Sequence, residues 1–594
     1  MNKYFSRYKY LFKDHKKIII TCIVLICIQG ILGIGGTLFS AYYGIDVALA
    51  SREINKIIIF AIVSFIFSMA TGILFHTMYQ IGLKESVKIA VNLKNKIFNK
   101  AIYLDMKYHS KHSSGAILNI IDYDTDMVTS HITWTIPMMI RAMLRVTLTM
   151  LLVTIINPKL SLILWVALPI VTSISLLVSK KRSKLHEKSR RVNRKTISHI
   201  NERIMGFKTI KALNLEEESK KELVALTNER FKYRMQGNVF VQSFWRLFDL
   251  VFYLCLACMF IMSYELNVSY GEIFLYYNLF RLCLDSITQV TNSIETFSEE
   301  VVSIEKIHDI LEYKDEIVNK YDACYPNNKL GGFIEFKDVS FYYNEGEVVL
   351  DRFTLNIEEK EKVAIVGKTG SGKSTIANLL FRFYEPRSGY ISIDKLDYTK
   401  YHLEYLHNEI GFILQDPLLF DDTIINNVRY GKLDASEEEI INACKLVGAH
   451  DFITRLKDGY NTNIGEGGII LSLGQKQLLA FARVILSNPS IVILDEATSN
   501  IDSHTESLIQ HNIDTLFKDK TCIFIAHRLS TIKNVDTIIY LEKGKIIEKG
   551  NHRELMLLDG KYAALYNNQF VERSLNTILG KEKEYEYWSY SFFI

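Results

Sequence analysis

Apolar residues form long runs in the first half of the chain and short runs in the second half. Six of the long runs have roughly 20 residues each, which is enough for a helix to cross a bilayer. The pattern therefore predicts an α-helical domain of six membrane spans. The runs fall at Ile18–Phe39, Ile57–Tyr79, Ile136–Ile156, Leu160–Val178, Val239–Ser263 and Glu272–Val290.

The connections after spans two and four are long and basic, and they keep helical spacing with little Pro or Gly. Seven lysines lie between Lys84 and Lys111, and nine Lys or Arg residues lie between Lys180 and Lys195. We expect the spans to continue outside the bilayer as long helices, each pair closed by a short turn. Because positive charge is retained on the inner side, both termini are expected in the cytoplasm of a plasma membrane.

The same rule explains the run "KKRSKLHEKSRRVNRK" without a nucleic-acid partner, so the bilayer is the only partner that this run predicts. A content of 48% hydrophobic residues excludes an ordinary soluble enzyme, and a net charge of +4 over 594 residues is close to balanced. The eight cysteines have no disulfide or zinc spacing. The Ile-, Lys- and Asn-rich composition is compatible with a bacterial protein.

Short β-branched runs alternate with helical ones after "YDACYPNNKLGG", which predicts a linker at 321–332. The following "VAIVGKTGSGKSTIANLLF" places a phosphate loop between a strand and a helix. Its glycines let the backbone wrap phosphate, Lys373 neutralises phosphate charge and Ser374 can ligate Mg²⁺. The expected ATP contacts are Gly367, Lys368, Thr369, Gly370, Ser371, Gly372, Lys373, Ser374 and Thr375.

Two further strands end in residues that suit ATP hydrolysis. In "IVILDEATSNID", Asp495 can hold Mg²⁺ and Glu496 can activate a water, which indicates hydrolysis rather than binding alone. In "CIFIAHRLS", His527 ends an apolar strand. In a parallel sheet this position faces the same crevice as the phosphates.

With these motifs in this order, the chain resembles an ATP-binding cassette (ABC) exporter half-transporter, a membrane domain fused to a nucleotide-binding domain. The resemblance implies a type I exporter fold over residues 1–320, a cassette with an α/β P-loop NTPase fold over 333–570, and a tail at 571–594 that is expected to be disordered. It also implies that Tyr343 stacks on adenine, that Gln415 contacts Mg²⁺ or water and reports ATP occupancy to the membrane helices, and that His527 contacts the γ-phosphate.

The resemblance further implies a dimer, because the signature motif of one cassette completes the ATP site of the other. "LSLGQ" matches this signature, although Leu473 replaces a glycine. The partner is therefore a second half-transporter, either identical or different. The residues assigned to this contact are Ser472, Leu473, Gly474 and Gln475 in the signature, with Ser499 and Asp502 in the D-loop.

Two cytoplasmic turns resemble the loops that dock into cassettes, "SSGAILNIIDYDTDMV" and "NERIMGFKTIKALNLEEE". Such loops would convert cassette closure into a change from an inward-facing to an outward-facing membrane domain. The expected function is ATP-driven export of a small hydrophobic or amphipathic compound, peptide or lipid. An importer with the exporter fold and an ATP-gated regulatory or channel-like protein are the alternatives, and Glu496 argues against the second.

Charged residues within the predicted spans need a partner or water. Spacing allows Arg281 to pair with Asp285 and Arg246 with Asp249, whereas Arg141 and Arg145 have no acid in their own helix. One hypothesis is that these groups pair across helices and hold the bundle together. The other is that they line a cavity that favours an anionic amphipathic cargo, with the six residues Arg141, Arg145, Arg246, Asp249, Arg281 and Asp285.

Overall fold

The computed structural model describes residues 16–315, 317–495, 516–525 and 532–568. The chain divides into two structural units. The first contains residues up to 104 and residues 112–314, and the second contains residues 105–111 and the chain from 315 onward. The predicted tail at 571–594 lies outside the described residues.

The first unit is entirely helical where it is described. Its long helices are α1 (Lys16–Phe39), α2 (Ile54–Tyr103), α6 (Ile136–Ile156), α7 (Pro158–Met205), α9 (Glu216–Glu265) and α10 (Tyr270–Leu311). Short helices of this unit lie between them, namely α4 (Ser114–Asn119), α5 (Thr125–Ser130) and α8 (Phe207–Leu213), with π-helical segments at Ser40–Leu49, Ile120–Asp124 and His131–Thr135. The short helix α3 (Met106–Lys111) follows α2 in the sequence but belongs to the second unit.

Local sequence signals set the turns between the long helices. Asn157 separates α6 from α7, and its side chain accepts a hydrogen bond from the Leu160 backbone N–H while Pro158 occupies the first helical position. Ser269 caps α10 in the same way by accepting from the Glu272 N–H. Asn214 ends α8 in the left-handed conformation, at φ +53°.

Five of the six predicted spans lie on helices that are long and apolar enough to cross a membrane. The prediction that spans two and four continue well beyond the bilayer is confirmed, because α2 and α7 run unbroken for 50 and 48 residues. The sixth span lies on α10, which is outside this group of five among the described residues. Asn278, Arg281 and Asp285 lower the hydropathy of α10, so its insertion stays a prediction.

The second unit contains two sheets. The strands are β1 (Ile334–Phe341), β2 (Leu350–Ile357), β3 (Lys362–Val366), β4 (Ser388–Ile393), β5 (Leu396–Asp397), β6 (Ile410–Ile413), β7 (Ile491–Asp495), β8 (Thr521–Ile525), β9 (Thr537–Glu542) and β10 (Lys545–Gly550). The helices are α11 (Lys373–Leu380), α12 (Leu403–Glu409), α13 (Ile424–Arg429), α14 (Glu437–Leu446), α15 (His450–Thr454), α16 (Leu473–Ser487) and α17 (His552–Leu557).

The larger sheet has the order β10-β9-β3-β8-β7-β6, and the five strands from β9 to β6 are parallel. Strands β3, β7 and β8 are almost continuous apolar runs because both faces of this sheet are buried. The smaller sheet, β2-β1-β4-β5, is antiparallel. The parallel arrangement brings the carboxyl ends of β3, β6, β7 and β8 to one edge of the larger sheet, where the predicted phosphate loop begins.

Candidate functional site: an ATP site at the sheet edge

The phosphate loop connects the central strand β3 to helix α11 through a backbone that only glycine suits. Gly367, Gly370 and Gly372 have φ values of +152°, +80° and +105°. A Cβ atom at Gly367 would lie 2.2 Å from the Leu541 carbonyl oxygen. The loop is therefore held tightly against β9 and leads into the amino end of α11, whose first backbone N–H groups have no partner within the helix.

Three side chains of this loop differ in how far they are exposed. Lys373 is 5% exposed, and its Nζ donates to the carbonyl oxygens of Gly367 at 2.8 Å and Lys368 at 3.1 Å. Ser371 is also 5% exposed, and its Oγ has no hydrogen-bond partner. Ser374 is exposed at the start of α11. The loop thus combines a buried cation, an unused buried hydroxyl and an accessible hydroxyl.

The rest of the predicted loop forms its rim and its base. Lys368 and Thr369 are exposed beside Gly370, whereas Thr375 is buried in the first turn of α11. The Tyr343 hydroxyl donates to Thr375 Oγ1 at 3.2 Å and accepts from Asn378 Nδ2 at 3.3 Å. The sequence indicated Tyr343 as an adenine contact, and the structure places this ring, 39% exposed, against α11.

The edge of the sheet brings the predicted metal ligands toward the loop. Asp495 is the last residue of β7, and its backbone pairs with Ile525 at the end of β8, the neighbour of β3. Gln415 is exposed and follows β6, the neighbour of β7. The predicted residues Glu496, Ser499, Asp502 and His527 lie outside the described residues.

The signature motif begins helix α16. The Ser472 Oγ accepts from the Gln475 N–H at 3.3 Å, and Gln475 Oε1 accepts from the Ser472 N–H at 2.9 Å, which forms a capping box. Leu473 is the first helical residue and has no left-handed φ value. Gly474 follows it in the buried face. The backbone at position 473 therefore does not require the glycine that the resemblance led us to expect.

Sequence reasoning missed two residues that join the signature helix to the segment around Gln415. Gln477 is fully buried and donates to the Gln415 carbonyl oxygen at 3.1 Å. Arg483 donates to the carbonyl oxygens of Leu418 at 2.7 Å and Asn427 at 2.6 Å, and burial lowers the pKa of its guanidinium. The one signal in the sequence was the position of both residues among the apolar residues of α16, which indicates burial. Buried polar side chains are usually hydrogen-bonded, so such residues are expected to have specific partners.

These features fit an ATP molecule and a divalent cation. The unpartnered Ser371 Oγ, the buried Lys373 ammonium and the N–H groups at the start of α11 suit phosphate oxygens. Mg²⁺ is usually held by few protein oxygens together with substrate phosphates and water. No cluster of three or more His, Cys, Asp or Glu occurs in the part of the chain that the structure describes, so Ser374, Asp495 and Gln415 would need phosphate to complete such a site.

The charged residues of the membrane unit form a second group. Arg141 on α6 is half-buried with its guanidinium carbon 5.5 Å from the Phe75 ring centroid, and its buried Nε has no hydrogen-bond partner. Arg145 lies one turn further along α6 and interacts electrostatically with Asp285 on α10. An ion pair of 3.4 Å joins Arg246 to Asp249 on α9, where both side chains are more than half exposed.

The structure does not join Arg281 to Asp285, although their spacing allows a pair. Both residues are described and exposed, and no ion pair or hydrogen bond joins them. Position i,i+4 makes such a pair possible, but Asp285 instead lies within electrostatic range of Arg145 across the helix interface. Both the hypothesis of pairing across helices and the cavity hypothesis stay predictions, and Arg141 has no acidic partner on its own helix.

Comparison with known proteins matches each half of the chain to a family model. Residues 19–287 match the ABC transporter transmembrane region, and residues 350–499 match the ABC transporter family. The solved structure of a bacterial Atm1-family ABC exporter with ATP bound has the same fold, with a TM-score of 0.80. The two share 23% sequence identity, and the match covers 93% of this chain and 98% of that one.

Two relatives match along most of their length. The uncharacterized ABC transporter ATP-binding protein YfiC of Bacillus subtilis is 30% identical over 94% of this chain and 92% of its own. The ATP-dependent lipid A-core flippase of Pseudomonas aeruginosa is 33% identical over 81% of this chain and 80% of its own. The chain therefore belongs to the ABC transporter family, as an integral membrane protein with the type I exporter fold and an ATP-binding cassette.

Proposed function

We propose that this protein is one half of a dimeric exporter that hydrolyses ATP to move an amphipathic cargo across a bacterial plasma membrane. The phosphate loop carries this proposal, because Lys373, Ser371 and the positive-φ glycines suit phosphate oxygens, and the loop starts at the same sheet edge at which β7 ends in Asp495. A Glu directly after that aspartate suits an enzyme that turns ATP over. Both termini would lie in the cytoplasm, where ATP is available.

Each residue of the site has a separate task in this proposal. Lys373 and the loop backbone bind the phosphates, Ser374 and Asp495 hold Mg²⁺, and Tyr343 supports the base. Glu496 orients and deprotonates the attacking water. Bound Mg²⁺ would supply charge neutralisation at the phosphates.

The signature residues would act on the ATP of the partner subunit. Ser472 and the N–H groups at the start of α16 form a second phosphate-binding end. Gln477 and Arg483 attach the segment around Gln415 to the same helix. ATP binding near Gln415 would therefore affect the signature end of α16. This provides a physical route by which two bound ATP molecules close a dimer.

ATP hydrolysis by the purified full chain, reconstituted in lipid, tests the proposal. We expect steady turnover by the wild type and a loss of at least about a hundredfold in Glu496→Gln, because the water would lose its base. A matched control is Glu466→Gln, an acidic residue of the same domain whose side chain is not assigned to the site. ATP binding should survive in both variants.

The outcome also decides the composition of the dimer. Turnover by this chain alone supports a homodimer with a working LSLGQ signature. Folded protein that binds ATP without turnover, with or without candidate cargoes, would contradict a self-sufficient exporter and direct attention to a second half-transporter.

We further propose an anionic amphipathic cargo. Arg141 provides a cation with an unpartnered Nε beside the Phe75 ring, a combination that suits a negative group attached to an apolar body. Arg246 and Arg281 lie on exposed faces of α9 and α10, and the arginines outnumber the acids in this set. The relative named as a lipid A-core flippase supports a lipid as one form of such a cargo.

Stimulation of ATP hydrolysis by anionic and zwitterionic lipids of equal chain length tests this cargo class. We expect Arg141→Gln with Arg145→Gln to reduce the anionic stimulation at least about tenfold, because the cationic partner is removed. Lys159→Gln, at the outer end of α7, serves as the control. Equal stimulation of all three proteins by the anionic lipid would rule out the arginines as cargo contacts.

A further inference from the structure

Nine basic residues follow the apolar run of α7, and the protein itself neutralises few of them. All nine are exposed, and the only acid among them is Glu187. Several make no hydrogen bond, ion pair or ring contact with another described residue. These are Lys180, Lys184, Arg191, Arg194 and Lys195.

Helical spacing places like charges of this run next to each other. Lys180, Lys184 and Lys188 follow one another at intervals of four, and Arg191 and Lys195 repeat the spacing. Like charges at this spacing repel and destabilise a helix. Anions from outside the chain would relieve this repulsion.

The first four charges lie at the level of lipid headgroups. The apolar run ends at Val178, and a helix rises about 1.5 Å per residue, so the backbone of Lys180–Arg182 lies about 3–6 Å beyond that run. The backbone of Lys184 lies about 9 Å beyond it, and the long Lys184 side chain reaches back into the headgroup layer because helical side chains point toward the helix N-terminus. The headgroup layer extends roughly 5–7 Å beyond each face of the hydrocarbon core. Arg191, Arg194 and Lys195 lie a further 10–20 Å or so along the helix, beyond that layer.

Residues of helix α9 that pack beside this part of α7 independently indicate the depth of the headgroup layer. The Lys181 ammonium lies 4.2 Å from the centroid of the Phe240 ring, and Leu185 packs against Gly237, so the two helices are in close register here. Trp245 is 40% exposed slightly deeper on α9. Tryptophan is enriched at the interface between hydrocarbon and headgroups. Trp245 therefore fits the hydrocarbon side of this basic layer.

We propose that Lys180, Lys181, Arg182 and Lys184 form a binding surface for anionic phospholipid headgroups of the leaflet at which the apolar run of α7 ends. Orientation alone requires basic residues anywhere near the end of a span. Four basic residues occur here in five positions: Lys180 and Lys184 make no hydrogen bond, ion pair or ring contact with another described residue, Lys181 lies over the Phe240 ring, and Arg182 donates to Asn292 Oδ1 at 3.2 Å. Their combined charge provides in addition a local site for phosphate. The proposal requires that α7 spans the membrane and does not depend on the cargo or on ATP hydrolysis.

The test uses the full chain in vesicles that contain spin-labelled phosphatidylglycerol or phosphatidylcholine. The quantity measured is the relative association of the two lipids with the protein boundary. We expect the wild type to prefer phosphatidylglycerol at least about threefold and the variant with Lys180→Gln, Lys181→Gln and Lys184→Gln to show a ratio near one. Lys→Arg at the same positions should restore the preference, and 1 M NaCl should reduce it in the wild type.

The matched control carries Arg191→Gln, Arg194→Gln and Lys195→Gln on the same helix beyond headgroup depth, and it should keep the wild-type ratio. An unchanged ratio in the first variant, or an equal loss in both, would overturn the proposal. If the triple variant does not fold, single Lys180→Gln and Lys184→Gln variants provide the same comparison. Tight binding of single-stranded RNA that depends on all six positions, with no lipid preference, would also overturn it in favour of a nucleic-acid surface.

Discussion

Gly367 shows how strictly one residue of the phosphate loop is constrained. Its φ is +152°, and the Leu541 oxygen lies 2.2 Å from the point that a Cβ atom would occupy, which leaves no room for a side chain. We expect Gly367→Ala to destabilise the cassette by about 2–4 kcal/mol and to abolish ATP binding. Gly370→Ala is the control, since φ is +80° but no atom lies within 4 Å, and about 1 kcal/mol is expected.

Thermal unfolding of the full chain measures the stability of both variants, and binding of a fluorescent ATP analogue measures their affinity for nucleotide. Equal losses at the two positions would show that backbone strain, rather than contact with β9, limits the loop.

Leu473 is the residue at which the signature departs from the pattern of the family. It occupies the first turn of α16 with ordinary helical geometry. We therefore expect Leu473→Gly to change ATP turnover by no more than about twofold and to lower stability by up to about 1 kcal/mol, because glycine loses more backbone freedom in a helix. A tenfold rise in turnover would instead mean that the leucine obstructs the partner's ATP.

At the scale of elements, Asp124 connects a π-helical segment to the distal part of α10. Asp124 is 1% exposed, accepts from Ser303 Oγ at 2.6 Å and pairs with Lys306 Nζ at 2.9 Å. We expect Asp124→Ala to destabilise the membrane unit by about 1–3 kcal/mol, because a buried charge-assisted contact is lost. The loss stays within this range because Lys306 is half-exposed and can regain water. Asp122→Ala is the control: its partner Lys94 lies at 2.7 Å, but Asp122 is largely exposed.

The Asp122 change should alter stability by less than about 1 kcal/mol. Both variants can be compared by thermal unfolding in detergent. A loss at Asp122 as large as that at Asp124 would contradict a role for burial in this contact.

Helix α17 gives the cassette a pH-dependent contact. His552 Nδ1 lies 2.8 Å from the hydroxyl of the buried Tyr562, and burial together with Lys533 lowers the pKa of His552. The unfolded chain binds a proton near pH 6.5, whereas the folded protein does so only at lower pH. The stability due to neutral His552 is therefore present above pH 6.5 and is lost as the pH falls below it.

We expect the midpoint of cassette unfolding to drop more steeply between pH 7.5 and 5.5 in the wild type than in His552→Gln, which keeps a polar group without the titration. Parallel pH profiles for the two proteins would contradict this assignment.

At the scale of the whole molecule, the predicted orientation can be tested directly. Asn267 lies in the short link before α10, and Asn214 lies between α8 and α9, at the other end of the 50-residue helix α9. In a background without the eight native cysteines, a Cys replacing Asn267 should react with an impermeant maleimide on intact cells. A Cys replacing Asn214 should react only after the cells are opened. The opposite result would reverse the topology.

Five spans, the long helical extensions and the phosphate loop followed from the sequence, because each depends on local pattern: a bilayer-length apolar run, a helical period or a fixed glycine spacing. Asp495 could be placed at the end of a strand for a similar reason, since parallel strands align their carboxyl ends, whereas Gln415 followed only from the family resemblance. The distance between Asp124 and Lys306, the buried hydrogen bonds of Arg483 and the tight approach of Gly367 to Leu541 could not be predicted.

Those features join residues that are far apart in the sequence, and no local rule specifies such partners. Arg281 and Asp285 show the same limit: their spacing allows a pair that the structure does not form, and Asp285 on α10 instead acts electrostatically on Arg145 of α6. The sequence by itself therefore determined the two kinds of domain and the chemistry of the ATP site, because short motifs and periodic patterns specify them. Only the tertiary structure decided which charges meet, because burial and helix packing, rather than spacing, select the partner of a charged side chain.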